Sequence, residues 1–188
     1  KQNNYLNQKP KNMQSLIVAI CIALGVVMGI TAQAQSENWV QTDLGEGVSV
    51  KYPGAPSKRD MEGGITLFRF KTADSLAVLT VLIRDLSNLG INAEQLSAAA
   101  ETSEFWDQVQ SSSLQALSNS KLLKAERIQM NDQPVLALEL EFPRDGEVNV
   151  MSQLIFVKGI KSYTVNFNSL DQKGDPVVKE AYFGSLKF

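Results

Sequence analysis

The chain has 188 residues, 44% of them hydrophobic and 20% charged, enough for one well-buried core and short for two. It contains no histidine and a single cysteine, Cys21, which excludes imidazole-based zinc sites and every Ser-His or Cys-His nucleophile. Its 18 basic and 20 acidic side chains leave a net charge of −2, without the basic footprint that nucleic-acid phosphates demand.

Lys9 and Lys11 precede an apolar run from Leu16 to Ile30, which ends in Thr31-Ala32-Gln33-Ala34. A positive flank, a short apolar core and an Ala-x-Ala end read as a secretory signal peptide cleaved after Ala34, with the residues before Met13 as an upstream extension. The run falls short of the roughly 20 residues a spanning helix needs, so no stable membrane span is expected once the signal is removed. Cys21 lies inside the run and would be discarded with it, leaving a mature chain without disulfides or thiolate sites. Residues 35–188 then form a single domain with 15 basic and 20 acidic groups, a net −5. Its expected location is periplasmic or secreted.

Past the signal, Trp39 to Asp43 and Val48 to Tyr52 read as two short strands around Gly45-Glu46-Gly47, closed by Pro53-Gly54-Ala55-Pro56. Lys58-Arg59-Asp60 and Gly63-Gly64 suit an exposed connection. Ile65 to Lys71 and Leu76 to Arg84 form a hairpin, and the second strand is apolar on both faces (Leu79, Val81 and Ile83 against Val78 and Leu82), which implies cover on both sides. Asn92 caps a helix with Gln95 as its capping-box partner, and the helix runs to about Leu117. Leu96, Ala99, Ala100, Trp106, Leu114 and Leu117 share one stripe, whereas Phe105 and Val109 lie off it. Either the helix breaks near Thr102-Ser103 or Phe105 is exposed.

Lys121 to Met130 is the first strand of a meander, ended by Asn131-Asp132-Gln133-Pro134. In the second, Leu136, Leu138, Leu140 and Phe142 alternate with Glu139 and Glu141, the period of a half-buried strand. Val148 to Lys158 follows, then a Gly159-containing hairpin and the alternating Tyr163, Val165 and Phe167. Asp175-Pro176 starts a last short helix to about Tyr182, before an extended Leu186-Lys187-Phe188. The fold class expected is α/β (α+β), with an antiparallel β-sheet of about six to seven strands flanked by helices.

Gly47-Val48-Ser49-Val50-Lys51-Tyr52-Pro53, Ser162-Tyr163-Thr164-Val165 and Tyr182-Phe183-Gly184-Ser185-Leu186-Lys187-Phe188, in this element order, resemble the PsbP-like family of small exported domains. The resemblance covers Trp39 to Phe188. It implies an α-β-α sandwich and a mostly non-enzymatic role in binding or assembling envelope or membrane-associated complexes. It transfers no site, because the metal-binding histidines of some photosynthetic members have no counterpart in a chain without histidine.

Glu139 and Glu141 fall on one strand face roughly 7 Å apart by the strand rise, a carboxylate pair of the kind that hydrolyses glycans; alternating glutamates on a wet strand face are also the usual solubilising pattern. Asp171-Gln172-Lys173-Gly174-Asp175 offers carboxylates for a weak calcium site, opposed by Lys173, or else a turn and a helix cap. Phe105, Lys121, Lys124 and Arg127 make a candidate interaction surface for an acidic partner or lipid headgroups, the blander reading of the three basic residues being a lysine-guarded sheet edge. No catalytic residue, cofactor or metal ligand is assigned. The leading expectation is an exported non-catalytic binding or assembly module whose partner is an envelope protein or a membrane-associated complex. A glycan hydrolase and a carrier of a small apolar ligand are the alternatives. Amino-terminal sequencing of the protein recovered outside the cytoplasm is expected to begin at Gln35; full-length chain in the inner membrane would establish an uncleaved anchor.

Overall fold

A computed structural model describes residues 38–117 and 119–188; the signal-peptide reading falls outside them. Strands β1 (Val40–Gly45) and β2 (Val48–Tyr52) form a separate two-stranded sheet. The other seven are β3 (Ser57–Met61), β4 (Ile65–Lys71), β5 (Ala77–Asp85), β6 (Lys121–Met130), β7 (Gln133–Arg144), β8 (Glu147–Lys158) and β9 (Lys161–Ser169). They make one antiparallel sheet in the order β3-β4-β5-β9-β8-β7-β6. Helices α1 (Ala93–Ala100) and α2 (Ser103–Gln115) lie between β5 and β6 in sequence, and α3 (Pro176–Gly184) follows β9.

The expected connection at Lys58-Arg59-Asp60 is a strand instead, paired with β4 from Ser57↔Arg69 to Met61↔Ile65. Its charged residues hide the strand because β3 is an edge and buries neither face. Short length and charge are what a free edge needs to resist pairing with another chain.

The period-2 alternation sorts the sheet into two faces, each with its own core. On one face Leu79, Val81 and Ile83 of β5, Tyr163, Val165 and Phe167 of β9, and Leu154 and Phe156 of β8 meet Val48, Val50 and Tyr52 of β2 and Tyr182 of α3. On the other, Leu136, Leu138, Leu140 and Phe142 of β7 and Met151, Ile155 and Val157 of β8 meet Leu96 and Ala100 of α1 and Trp106 of α2. The helix–sheet–helix layering is therefore met, with a hairpin sharing one outer layer. The layers are offset: α1 and α2 rest on β8 and β7, while the hairpin layer lies over β4, β5, β9 and β8.

This offset changes the expectation for β5. Leu79 and Val81 are fully buried on the hairpin side, and on the other face Val78 is buried as expected, but Thr80 and Leu82 are half-exposed and Arg84 is exposed. Across that open half the strands carry polar groups: Asn166 donates to the Thr80 hydroxyl at 3.1 Å and stands opposite Gln153.

Of the two expectations for this segment, the break is the one observed, and it makes two helices. Asn92 and Gln95 close a complete capping box at the start of α1, and α1 stops at Ala100. Thr102 then caps α2, its hydroxyl accepting from the Phe105 amide at 3.3 Å. The break re-aims the stripe so that Trp106 is buried, with its indole N–H donating to the Ala100 carbonyl at 2.7 Å. Phe105 is half-buried against the same cluster and meets the Trp106 ring edge-on at 4.9 Å. We expect Trp106→Ala to cost on the order of 3–5 kcal/mol, and Phe105→Ala about half as much because part of its ring is already wet. Chemical denaturation measures both; a Phe105→Ala protein as stable as wild type would contradict this packing.

Candidate functional site

The four residues of the predicted interaction surface do not form one surface. Lys121 and Lys124 stand opposite Glu141 and Glu139 on the hairpin-side face of the sheet, while Arg127 stands opposite Leu136 on the helix-side face. Residues three apart on a regular strand point to opposite faces; a β-bulge at Leu123 keeps Lys121 and Lys124 together and leaves Arg127 across the sheet. Arg127 is spent on α2, donating to the Asp107 carboxylate at 2.7 Å and the Ser103 carbonyl at 3.2 Å. Lys124 pairs with Glu126 at 3.0 Å. Phe105 is half-buried against the helix-side core and Trp106.

The carboxylate pair Glu139 and Glu141 does share a face, as the alternation requires. Glu139 borders a shallow concavity of about 230 Å³ beside Gly174 and Pro176, which Glu141 does not line, and there Glu139 faces Lys179 at 3.9 Å. Basic groups thus stand against both glutamates, Lys124 and Lys179 about Glu139 and Lys121 opposite Glu141.

The Asp171–Asp175 loop is also divided. The Asp175 carboxylate caps α3, accepting from the Val177 amide at 2.8 Å, whereas Asp171 faces Lys173 and Glu147. A hydrogen bond and charge repulsion from Asp171 raise the Glu147 carboxyl above its ordinary value, while hydrogen bonds from Lys173 and Glu147 lower that of Asp171. Among the described residues no three acidic, Cys or His side chains group as a metal site.

Two larger concavities were not foreseen. One, of about 450 Å³, runs between the β1–β2 turn and the β3–β4 turn and mixes Asp43, Asp60 and Asp85 with Lys58 and Lys161. Lys161, at the start of β9, is engaged with Glu46 at 3.3 Å, tying the β1–β2 turn to the β8–β9 hairpin. The other, also about 450 Å³, opens where β1 begins, beside the amino end of α3. Trp39, Pro53, Phe70, Ala77 and Val178 wall it, and Thr72, Asp74 and Asp175 stand at its rim. Trp39 and Phe70 both rest on the main core. Gly54 lets the chain pass Phe70 closely, since a Cβ there would fall 2.9 Å from Cε2 of the ring. Sequence reading missed this cleft because its walls come from four segments far apart in the chain, each ordinary alone.

No family model matches the sequence, and no curated protein matches it significantly. Solved structures do. Cyanobacterial PsbP from Synechocystis sp. PCC 6803 is similar at a TM-score of 0.46 and 19% identity, over 78% of this chain and 89% of that one. A Bacteroides thetaiotaomicron protein is similar at a TM-score of 0.47 and 13% identity over 74% of this chain; the chain spans 44% of that protein. LpqN, involved in cell envelope biogenesis of Mycobacterium tuberculosis, is similar at 0.35 and 14%, over 77% and 73%.

The Glu147–Asp171 pair yields a pH prediction. A carboxyl whose folded pKa is raised opposes folding once it ionises, so the repulsion is present at neutral pH and absent when Glu147 is protonated in both states. Glu147→Gln is therefore expected to raise Tm near pH 7 and leave it unchanged near pH 3. Thermal melts at the two pH values check this, and an equal shift at both would contradict it.

Proposed function

We propose that the chain is a non-catalytic binding or assembly module of the cell envelope, acting after export. The observation that carries this reading is a contrast: the paired carboxylates Glu139 and Glu141 are matched by Lys121, Lys124 and Lys179, while a concavity of about 450 Å³ is an aromatic-walled cleft resting on the main core. A hydrolase needs its acid and base to flank a substrate; Glu141 lies outside the concavity that Glu139 borders. A cleft of this volume with apolar walls and a few polar groups is the usual form of a small-ligand or side-chain binding site. Among the described residues no helix is long and apolar enough to cross a membrane, in keeping with an attachment made through a partner.

The test is affinity purification from the native envelope with wild type, Trp39→Ala and Glu139→Gln/Glu141→Gln chains. A component recovered with wild type and with the glutamine variant, and lost with Trp39→Ala, is the expected result. Release of soluble sugars from envelope glycans by wild type, abolished in the glutamine variant, would overturn the reading in favour of a hydrolase.

A further inference from the structure

We infer that the Trp39–Phe70 cleft binds an organic ammonium ion, seated on the two aromatic rings and held by Asp74 and Asp175. The inference rests on the binding reading above and adds the chemical class of the ligand.

The walls come first. Trp and Phe faces carry negative quadrupoles that attract cations, Trp most strongly, and an alkylated ammonium also buries methyl groups against them. Pro53, Ala77 and Val178 complete an apolar wall, which admits such a group and disfavours a small hydrated metal ion. Both rings are backed by the core, so little ordering is needed on binding.

The rim supplies the sign. Asp74 and Asp175 are the charged groups in the lining, and none of the lining residues is basic. Lys71, next to the cleft in sequence, stands opposite Val78 and so points to the other face of the sheet, away from Phe70. Lys179 is turned toward Glu139. Asp74 accepts from the Thr72 hydroxyl at 2.5 Å and the Leu76 amide at 2.9 Å, which fix its carboxylate and keep it ionised. Against these two charges the amino end of α3 contributes roughly +0.5, so the mouth stays net negative. A neutral apolar ligand would gain nothing from this rim, and an anion would be repelled by it.

The test uses the purified chain labelled with ¹⁵N at the indole nitrogens. The two tryptophans give separate signals, and Trp106, buried with its N–H on the Ala100 carbonyl, is the internal control. Choline is titrated against its uncharged isostere 3,3-dimethyl-1-butanol. The expected result is a saturable shift of the Trp39 signal by choline, with the isostere at least about tenfold weaker. Asp74→Asn with Asp175→Asn should weaken choline by a similar factor while the Trp106 signal stays put, since asparagine can still accept the turn and cap hydrogen bonds. Phosphatidylcholine vesicles then separate the sources: co-sedimentation lost in the asparagine variant assigns a lipid headgroup, and its absence beside choline binding assigns a free ammonium compound. Equal affinity for choline and the isostere, or no effect of the asparagine pair, would overturn the ammonium assignment and leave a binding module for a neutral ligand. No movement of the Trp39 signal with either probe would overturn the cleft as this site, while the envelope purification stands or falls separately.

Discussion

The hairpin layer shares no ladder with the seven-stranded sheet, so something other than strand pairing must hold it there. The segment after α3 does this. Ser49 and Lys187 exchange backbone hydrogen bonds at 3.0 and 2.9 Å, and the Ser185 hydroxyl accepts from the Lys51 amide at 2.9 Å. Phe188 packs edge-on against Phe156 of the sheet at 4.8 Å. Beneath them the Tyr182 hydroxyl donates to the Thr80 carbonyl at 3.1 Å, giving the buried ring a polar tie to β5. Burial raises both phenols, Tyr52 to about 12 and Tyr182 well above its ordinary value. They remain neutral, which is what a low-dielectric site tolerates.

From this closure the rest of the surface follows. A two-stranded hairpin and a nine-residue helix cover one part of the sheet's first face, and a helical pair covers a different part of the second. The polar row of Thr80, Asn166 and Gln153 lies on the half-sheet beside α1 and α2; the charged row of Lys121, Lys124, Glu139 and Glu141 lies beyond α3 on the opposite side. The aromatic cleft sits at a seam of the hairpin layer, where β1, the end of β4 and the start of α3 meet without filling the space. Its form depends on that layer staying in register with the sheet.

Much of this was legible residue by residue. The alternation of Leu136 to Phe142 gave β7 its buried face, Asn92 with Gln95 located α1, and the conflict between Phe105 and Trp106 left a break or an exposed Phe105, of which Thr102 supplies the break. What escaped was whatever lacked a periodic signal. Strand β3 carries Lys58, Arg59 and Asp60 in a row because it is an edge. The bulge at Leu123 leaves no mark in composition, yet it decides which basic side chains share a face. The cleft depends on Trp39, Phe70, Asp74 and Asp175 arriving together, and only the tertiary fold brings them there.

The central claim is that residues 185–188 hold the hairpin layer, and through it the cleft, against the sheet. Hydrogen exchange on a chain shortened after Gly184 tests it directly. The account predicts that amides of Val48 to Tyr52 lose protection by about a hundredfold or more while those of β5 and β9 stay within about tenfold of the full chain. Unchanged protection across β2 in the shortened chain would contradict it.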